Sequence, residues 1–444
     1  LKDLGNGLVI RRATPDDTDA LVDFNGIQHS GNDEPDVWAR RETLEMMSGR
    51  HPNIKPEDFA IIEDTSTGEI VSSLCLIPRT WSYEGIPFDV GQIEFVATHP
   101  DYRSRGLVRE LMDVAHGWSA ERGQMVNVIT GIPHYYRQFG YEYAFYTRGG
   151  RSTQGGAPKL KDDQEESVSF RPFQESDAPF VTRLWQERSS QYLVDTVFDD
   201  DTWRYQFLGR DDVSAECRII ESPKGESVGW VVHPDRNWAR YMTADNVELE
   251  AGVSWMSAVP SILRYLEKTG RDYVEQWNAE QPEKDPIKLE SIGLNGMMPD
   301  DPLHKATQQL LPIERKPWAI YVRVPDIPDF IRHVTPVLEK RLANSIMAGH
   351  TGEVKISFAR GGFRMAFEDG KLGKVEPWGP TKENGWNDKG RNALFPELTL
   401  LKLLFGSRSV DELCDAFPDV QAGSEQRTLL SILFPKQPSR IQFV

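Results

Sequence analysis

The sequence predicts mixed α/β domains followed by a closing α+β domain. Three observations carry this. Strand and helix patterns alternate through residues 1–148. The opening pattern of that stretch returns one domain later. From residue 312 onward, one group of strands is followed by short helices.

In the first stretch, "LVIRRA" starts as a strand and "DDTDALVDFNGI" has helical spacing behind an acidic start. "FAIIED" and "EIVSSLCLIPRTW" read as strands around the turn "TSTGE". "YEGIPFDVGQIEFVAT" reads as two more, with Gly91 between them. A helix over 106–122 and the strand "MVNVIT" complete the set.

Residues 149–167 are Gly-rich and charged and read as a linker. "VSFRPFQESDAPFVTRLWQERS" then mirrors "LVIRRATPDDTDALVDF": strand, Arg-Xaa, a polar turn with Asp, amphipathic helix. The repeat continues through the hairpin "AECRIIESPKGESVGWVVH" and the helix "VSWMSAVPSILRYLEKTG". In the third region "WAIYVRVPDIPDFIRHVTPVLEKRLA" gives a strand, a Pro-bounded turn and a helix. "GEVKISFARGGFRMAFEDGKLGKVEP" gives three short strands. "GPTKENGWNDKGRNALFP" is a polar loop, and "LTLLKLLFG", "SVDELCDAFP" and "EQRTLLSILFP" are short helices. The expected domains are 1–148, 149–311 and 312–444.

Composition narrows the class. A hydrophobic share of 39% with 27% charged residues is that of a globular protein. No run of 18 apolar residues suggests a membrane span, and "LKDLGNGLVI" lacks the order of a signal peptide. Cys75, Cys217 and Cys414 are odd in number and far apart, which suits buried thiols in a reducing cytoplasm and no metal site. A net charge of −17 argues against nucleic acid and is compatible with a cationic substrate.

Against that acidic background, "VATHPDYRSRGLVREL" (96–111) gathers Arg103, Arg105 and Arg109 at a helix start. Leu107, Val108, Leu111, Met112, Ala115 and Trp118 mark a buried face, so the helix start has a fixed direction. Its first turn leaves N–H groups unpaired and partly positive. Gly106 removes a Cβ where a ligand would touch the backbone. The sum suits a pyrophosphate-sized anion, although a surface turn with solvated arginines has the same composition. "GIPHYYRQFGYEYAF" (131–145) packs four tyrosines and two phenylalanines around Gly140, a pattern that core packing also explains.

"FVATHPDYRSRGLVRELM" resembles the acetyl-coenzyme A motif of the GCN5-related N-acetyltransferase (GNAT) superfamily, Arg/Gln-x-x-Gly-x-Gly/Ala. Arg103, Gly106 and Val108 stand at its three positions, and Val108 departs from the usual small residue. "HYYRQFGYEY" is similar to the superfamily's Tyr-x-x-x-Gly-Phe/Tyr motif through Tyr136, Gly140 and Tyr141. The whole layout resembles the enhanced intracellular survival (Eis) family of bacterial N-acetyltransferases. The resemblance implies a catalytic GNAT domain, a degenerate second copy and a sterol-carrier-like (SCP2-like) α+β domain.

It further implies acetyl-coenzyme A as acyl donor, no metal, and a small-molecule amine acceptor, polycationic or aminoglycoside-like. A homo-oligomer, trimer or hexamer, is also implied. Phe95, Val96 and Thr98 would meet the pantetheine arm. Arg103, Ser104, Arg105, Gly106, Leu107 and Val108 would hold the pyrophosphate. Arg109 would add charge to a phosphate or pair with Glu110 or Asp113. Tyr136 would protonate the leaving thiolate. The base would be the terminal carboxylate of Val444, or else Glu94, taken as sharing a strand face with Val96. Asp33 or Glu34 would stand at the acceptor mouth. Two rivals remain: a non-catalytic carrier of an apolar ligand in the third region, and transfer of a longer acyl group.

Overall fold

The computed structural model describes residues 2–31, 34–147, 149–210, 215–236, 240–298, 301–358, 361–379, 392–396 and 398–442. The first stretch forms β1 (Lys2–Gly5), β2 (Leu8–Arg12), α1 (Thr18–Gln28), α2 (Val37–Met47), β3 (Phe59–Asp64) and β4 (Glu69–Tyr83). It ends with β5 (Ile86–Thr98), α3 (Leu107–Glu121), β6 (Val126–Ile129) and β7 (Glu142–Thr147). The middle forms β8 (Gly150–Thr153), β9 (Ser169–Pro172), α4 (Ala178–Ser189), β10 (Val194–Thr196), α5 (Asp200–Arg204) and β11 (Ala215–Glu221). It continues through β12 (Ser227–Pro234), β13 (Tyr241–Ala244), β14 (Asn246–Leu249), α6 (Trp255–Glu280), β15 (Ser291–Asn295), α7 (Pro302–Ala306) and β16 (Ile313–Arg315). The last part forms β17 (Trp318–Arg323), α8 (Ile327–His333), α9 (Thr335–Ala343), β18 (Gly352–Phe358), β19 (Gly361–Glu368) and β20 (Lys371–Pro377). It closes with β21 (Asn392–Leu394), α10 (Leu400–Leu404), α11 (Val410–Ala416) and α12 (Ser424–Leu433).

The chain divides into two compact units. The first comprises Leu1–Phe145, Gln191–Val197 and Ala319–Ile441; the second comprises Tyr146–Ser190, Phe198–Trp318 and Gln442–Val444.

The first unit is built on a nine-stranded, mostly antiparallel sheet in the order β1-β2-β3-β4-β5-β6-β17-β7, with β10 on β4. Helix α3 covers one face, burying Leu107, Leu111, Met112 and Ala115 against Leu74, Leu76, Ile93 and Ile129. Helices α1 and α2 cover the other, where Leu21, Phe24, Ala39 and Met46 meet Phe59, Cys75, Ile77 and Phe95. With both faces covered, β4 is buried along almost its whole length, including the polar Ser72, Ser73, Arg79 and Ser82. The α+β part packs onto the same sheet: Phe330 meets Phe88 at 5.3 Å, and Phe405 meets Phe145 at 4.8 Å between ring centres. Its own sheet runs β20-β19-β18-β21.

Two local readings change. Residues 86–98 form a single strand rather than two, and Gly91 lies inside it. A Cβ there would come within 2.6 Å of Gln124 Oε1 and 2.8 Å of Leu76, so Gly91 serves close packing and makes no turn. The segment expected as a linker begins with β8, buried throughout and paired with β15 and β16.

The second unit contains two four-stranded sheets, β14-β12-β11-β9 and β13-β15-β8-β16. One core gathers Val259, Ile262, Leu263 and Leu266 of α6; another gathers Trp185, Trp203 and Trp230. The internal repeat appears here in side-chain detail. In the first unit Arg11 holds both oxygens of Asp17 and also Glu63. In the second, Arg171 holds both oxygens of Asp177 and also Glu221. Each aspartate also closes a capping box that starts the following helix.

Candidate active site

Strand β5 pairs in parallel with β6 only from Val90 to Ile93, opposite Val126 to Ile129. Its pairing with β4 continues to Thr98. Among the described residues, the edge of 94–98 that faces away from β4 therefore has no strand partner. This parting exposes backbone polar groups to a ligand.

Phe95 sharpens the parting. Its φ of 54° is left-handed, and the β4–β5 register shifts beside it, between Ser73 and Cys75. Ile93 and Val96 belong to the core under α3, whereas Phe95 and Ala97 belong to the core under α1 and α2. The bulge thus inverts the alternation. Glu94 follows Ile93 on the opposite face and does not share the face of Val96, as plain alternation suggested. Phe95 is clamped by Trp38, stacked at 5.7 Å, and by His29, edge-on at 5.5 Å. Those packed rings offset the cost of a left-handed bulky residue. What Phe95 can offer a ligand is therefore its backbone.

The chain after β5 turns sharply. Ser104 has φ 60° and Gly106 has φ 80°. Gly106 caps α3 with no side chain over the first turn, and a Cβ there would meet nothing within 4 Å. Among the described residues, the N–H groups of Ser104 to Val108 enter no backbone hydrogen bond outside α3; the first such donors beyond them are Arg109 and Glu110, both to the Gly106 carbonyl. Successive free N–H groups at a helix start form an anion cradle.

The arginines are fixed around this cradle. Arg103 Nε donates to the Thr98 carbonyl at 3.3 Å. Arg105 donates to the Asp101 carbonyl at 2.8 Å and lies over the Tyr102 ring. Arg109 donates to Gln138 Oε1 at 3.0 Å and lies over Phe139. It therefore pairs with neither Glu110 nor Asp113; Glu110 accepts from Lys2 at 2.6 Å. Leu107 is buried and Val108 packs against the same core, so the bulk at 108 points inward and leaves the cradle open.

Tyr136 is buried in the α3-side core, in a cluster with Tyr135 at 5.1 Å, Tyr321 at 5.6 Å and Tyr141 at 6.3 Å. Gly131 lies against it: a Cβ there would stand 3.3 Å from Tyr136 Cε2, and its φ of 129° suits glycine. Burial raises the Tyr136 hydroxyl well above its ordinary value, and the negative charge of Glu94 raises it further. The phenol stays protonated at neutral pH, and the two predicted acid–base groups lie within electrostatic reach of each other. Glu94 Oε1 accepts from Gln92 Nε2 at 3.1 Å, and Gln92 Oε1 accepts from Arg79 Nε at 3.0 Å. Arg79 and Gln92 are buried, and burial lowers Arg79 to about 10. Val444 and Asp33 lie outside the described residues, and Glu34 is exposed.

Behind Tyr136 a polar chain continues. His116 Nε2 lies 2.8 Å from the Tyr141 hydroxyl. Burial lowers His116 to about 4, so the ring is neutral at pH 7 and shares one hydrogen bond with the Tyr141 phenol. Gln92 and Tyr321 are found by the register of the folded sheet, and Gly131 by its contact with Tyr136; spacing in the sequence does not assign them.

Among the described residues, helix α6 of the second unit offers no such cradle. Helix α6 starts at Ser254, whose hydroxyl accepts from Ser257 N–H and fills its first turn. Among the described residues no group of His, Cys, Asp and Glu could hold a metal ion, and no helix is long and apolar enough to cross a membrane.

Residues 9–144 match the family model described as acetyltransferase (GNAT) domain. No curated protein matches the chain in a sequence search. Solved structures match over its whole length. A protein of unknown function from Enterococcus faecalis, described as a probable N-acyltransferase, aligns with a TM-score of 0.67 at 13% identity over 98% of this chain and 100% of its own. A GCN5-related N-acetyltransferase from Anabaena variabilis aligns at 0.63 and 15% identity, over 98% and 100%. Eis1 from Mycobacterium abscessus aligns at 0.58 and 14% identity, over 98% and 100%. At such identities the likeness is one of fold. Residues 9–144 thus match an acetyltransferase (GNAT) domain, within a chain that shares the fold of these proteins over 98% of its length.

Proposed function

We propose that the chain is an acetyl-coenzyme A-dependent N-acetyltransferase acting on a primary amine of a small cationic molecule. The observation that carries this is the cradle of open N–H groups over 104–108, beside the parted edge of β5 and the protonated Tyr136. The amides from Ser104 to Val108 would donate to the pyrophosphate, with the side chains of Arg103 and Arg105 adding charge. The backbone of Phe95, Val96 and Thr98 would align the pantetheine arm. Acetyl-coenzyme A supplies the electrophilic thioester carbonyl.

The incoming ammonium must lose a proton before it attacks. Glu94 or the Val444 carboxylate takes it, and Glu94 is favoured among the described residues by its held position beside Gln92. The departing thiolate gains the proton that Tyr136 holds. The surplus of acid, −17 overall, supports a cationic acceptor.

In this reading the α+β part, SCP2-like in its order of elements, would support the first domain rather than carry lipid. Leu400, Leu401, Leu403 and Leu404 of α10 and Leu429, Leu430 and Leu433 of α12 are all buried in packing. Assembly as a trimer or hexamer belongs to the same reading, and light scattering measures it.

The test is calorimetric binding of acetyl-coenzyme A followed by thiol release with a panel of amines. Binding with release for polyamines or aminoglycosides supports the reading. Copurified lipid without coenzyme binding would replace it with the carrier function.

A further inference from the structure

Residues of the first stretch do not complete the surroundings of Tyr136. Strand β17, nearly two hundred residues downstream, enters the same sheet between β6 and β7. It pairs antiparallel with β6, Tyr321 opposite Ile129 and Val322 opposite Val128. That register drives the fully buried ring of Tyr321 into the aromatic cluster.

We infer that Tyr321 is a positioning residue for Tyr136, so that the α+β part of the chain completes the acetyl-transfer site. This rests on the proposed role of Tyr136 as proton donor. Tyr321 meets Tyr136 edge-to-face at 5.6 Å and 69°. Its other face stacks on Tyr143 at 3.9 Å and 24°. Its hydroxyl donates to the Ile132 carbonyl at 3.3 Å. That bond ties down the turn next to Gly131, where a Cβ would stand 3.3 Å from the Tyr136 ring. Tyr136 thus contacts both a turn and a ring that one residue fixes together.

The support is itself anchored. Arg323, two residues along β17, donates to Asn127 Oδ1 at 2.9 Å on β6. Lys402 of α10 donates to the Tyr143 carbonyl at 2.8 Å and to Glu142 at 3.1 Å. Arg137, next to Tyr136, donates to the same Glu142 oxygen at 2.8 Å. Two elements of the α+β part therefore hold both sides of the Tyr143–Tyr321 stack. A proton donor works only within hydrogen-bond reach of its target, and loss of that placement costs rate more than binding.

The experiment is a double-mutant cycle on the full chain, with Tyr321→Phe and Tyr321→Leu each made alone and in the Tyr136→Phe background. Acetyl-coenzyme A affinity, acceptor KM and kcat are read for each. Tyr321→Phe, which keeps the ring and loses the bond to Ile132, is expected to lower kcat several-fold. Tyr321→Leu is expected to lower it roughly 10- to 100-fold with coenzyme affinity within about twofold. Neither change should lower kcat further once Tyr136 is Phe. An equal fall in both backgrounds, or no fall in either, overturns the inference alone. Full turnover in Tyr136→Phe overturns the donor role and this inference with it. Tyr321→Phe retains the packed ring and carries the test if Tyr321→Leu does not fold.

Discussion

Arg11 grips Asp17 through two parallel hydrogen bonds of 2.8 and 2.7 Å, and Glu63 shares the same guanidinium. The pair locks strand β2 to the turn that starts α1, and its counterpart at Arg171 and Asp177 does so for β9 and α4. Bidentate pairs of this kind fix geometry as well as charge.

Removing one partner tests the lock. Arg11→Met leaves Asp17 and Glu63 as neighbouring like charges with no shared cation. The expected cost is about 1–3 kcal/mol of stability, read as a lower urea midpoint with an unchanged slope. Arg171→Met is expected to behave alike, and a neutral result in both would remove the lock as a source of stability.

Gly106 is a test of the cradle. Its left-handed φ of 80° costs an alanine about 1 kcal/mol. The added Cβ would project into open space, where the ligand approaches. Gly106→Ala is expected to weaken acetyl-coenzyme A binding by at least tenfold while shifting the melting temperature by a few degrees. Equal affinity in calorimetry would move the anion site elsewhere.

His116 predicts an acid-side instability. Its folded value of about 4 lies below the ordinary 6.5, so the unfolded chain takes up the proton first as pH falls. Its contribution is complete above pH 6.5 and is lost progressively down to about pH 4. His116→Phe should flatten the slope of unfolding free energy across that window. It should also lower stability at pH 7, because the buried Tyr141 hydroxyl loses its hydrogen-bond partner. An unchanged slope would show that His116 titrates normally.

The parts of this arrangement that local chemistry dictates were legible in the sequence. Arg-Xaa followed by an Asp-bearing turn marked both halves of the repeat, because the arginine and the aspartate that pair lie six residues apart in each. Gly106 after two arginines pointed to the cradle, because a residue without a Cβ lets a ligand approach the backbone; its left-handed φ is visible only in the fold. Pairing across the sheet was not legible. Gly91 resembled a turn because no pattern in the sequence reveals that Gln124 and Leu76 crowd it. Glu94 was placed beside Val96 because alternation ignores the bulge at Phe95, which depends on packing by Trp38 and His29. Tyr321 lies far along the chain in an ordinary strand, and the sheet order alone brings it to Tyr136.

The central claim is acyl transfer through Tyr136 from a donor bound at Gly106. Its most direct test is thiol release from acetyl-coenzyme A with a polyamine acceptor, comparing the native chain with Tyr136→Phe. Steady release is expected from the native chain. A fall of about 100-fold or more in kcat is expected for Tyr136→Phe, with coenzyme affinity retained. Equal release by both proteins would contradict the claim, as would coenzyme binding without release to any amine tested.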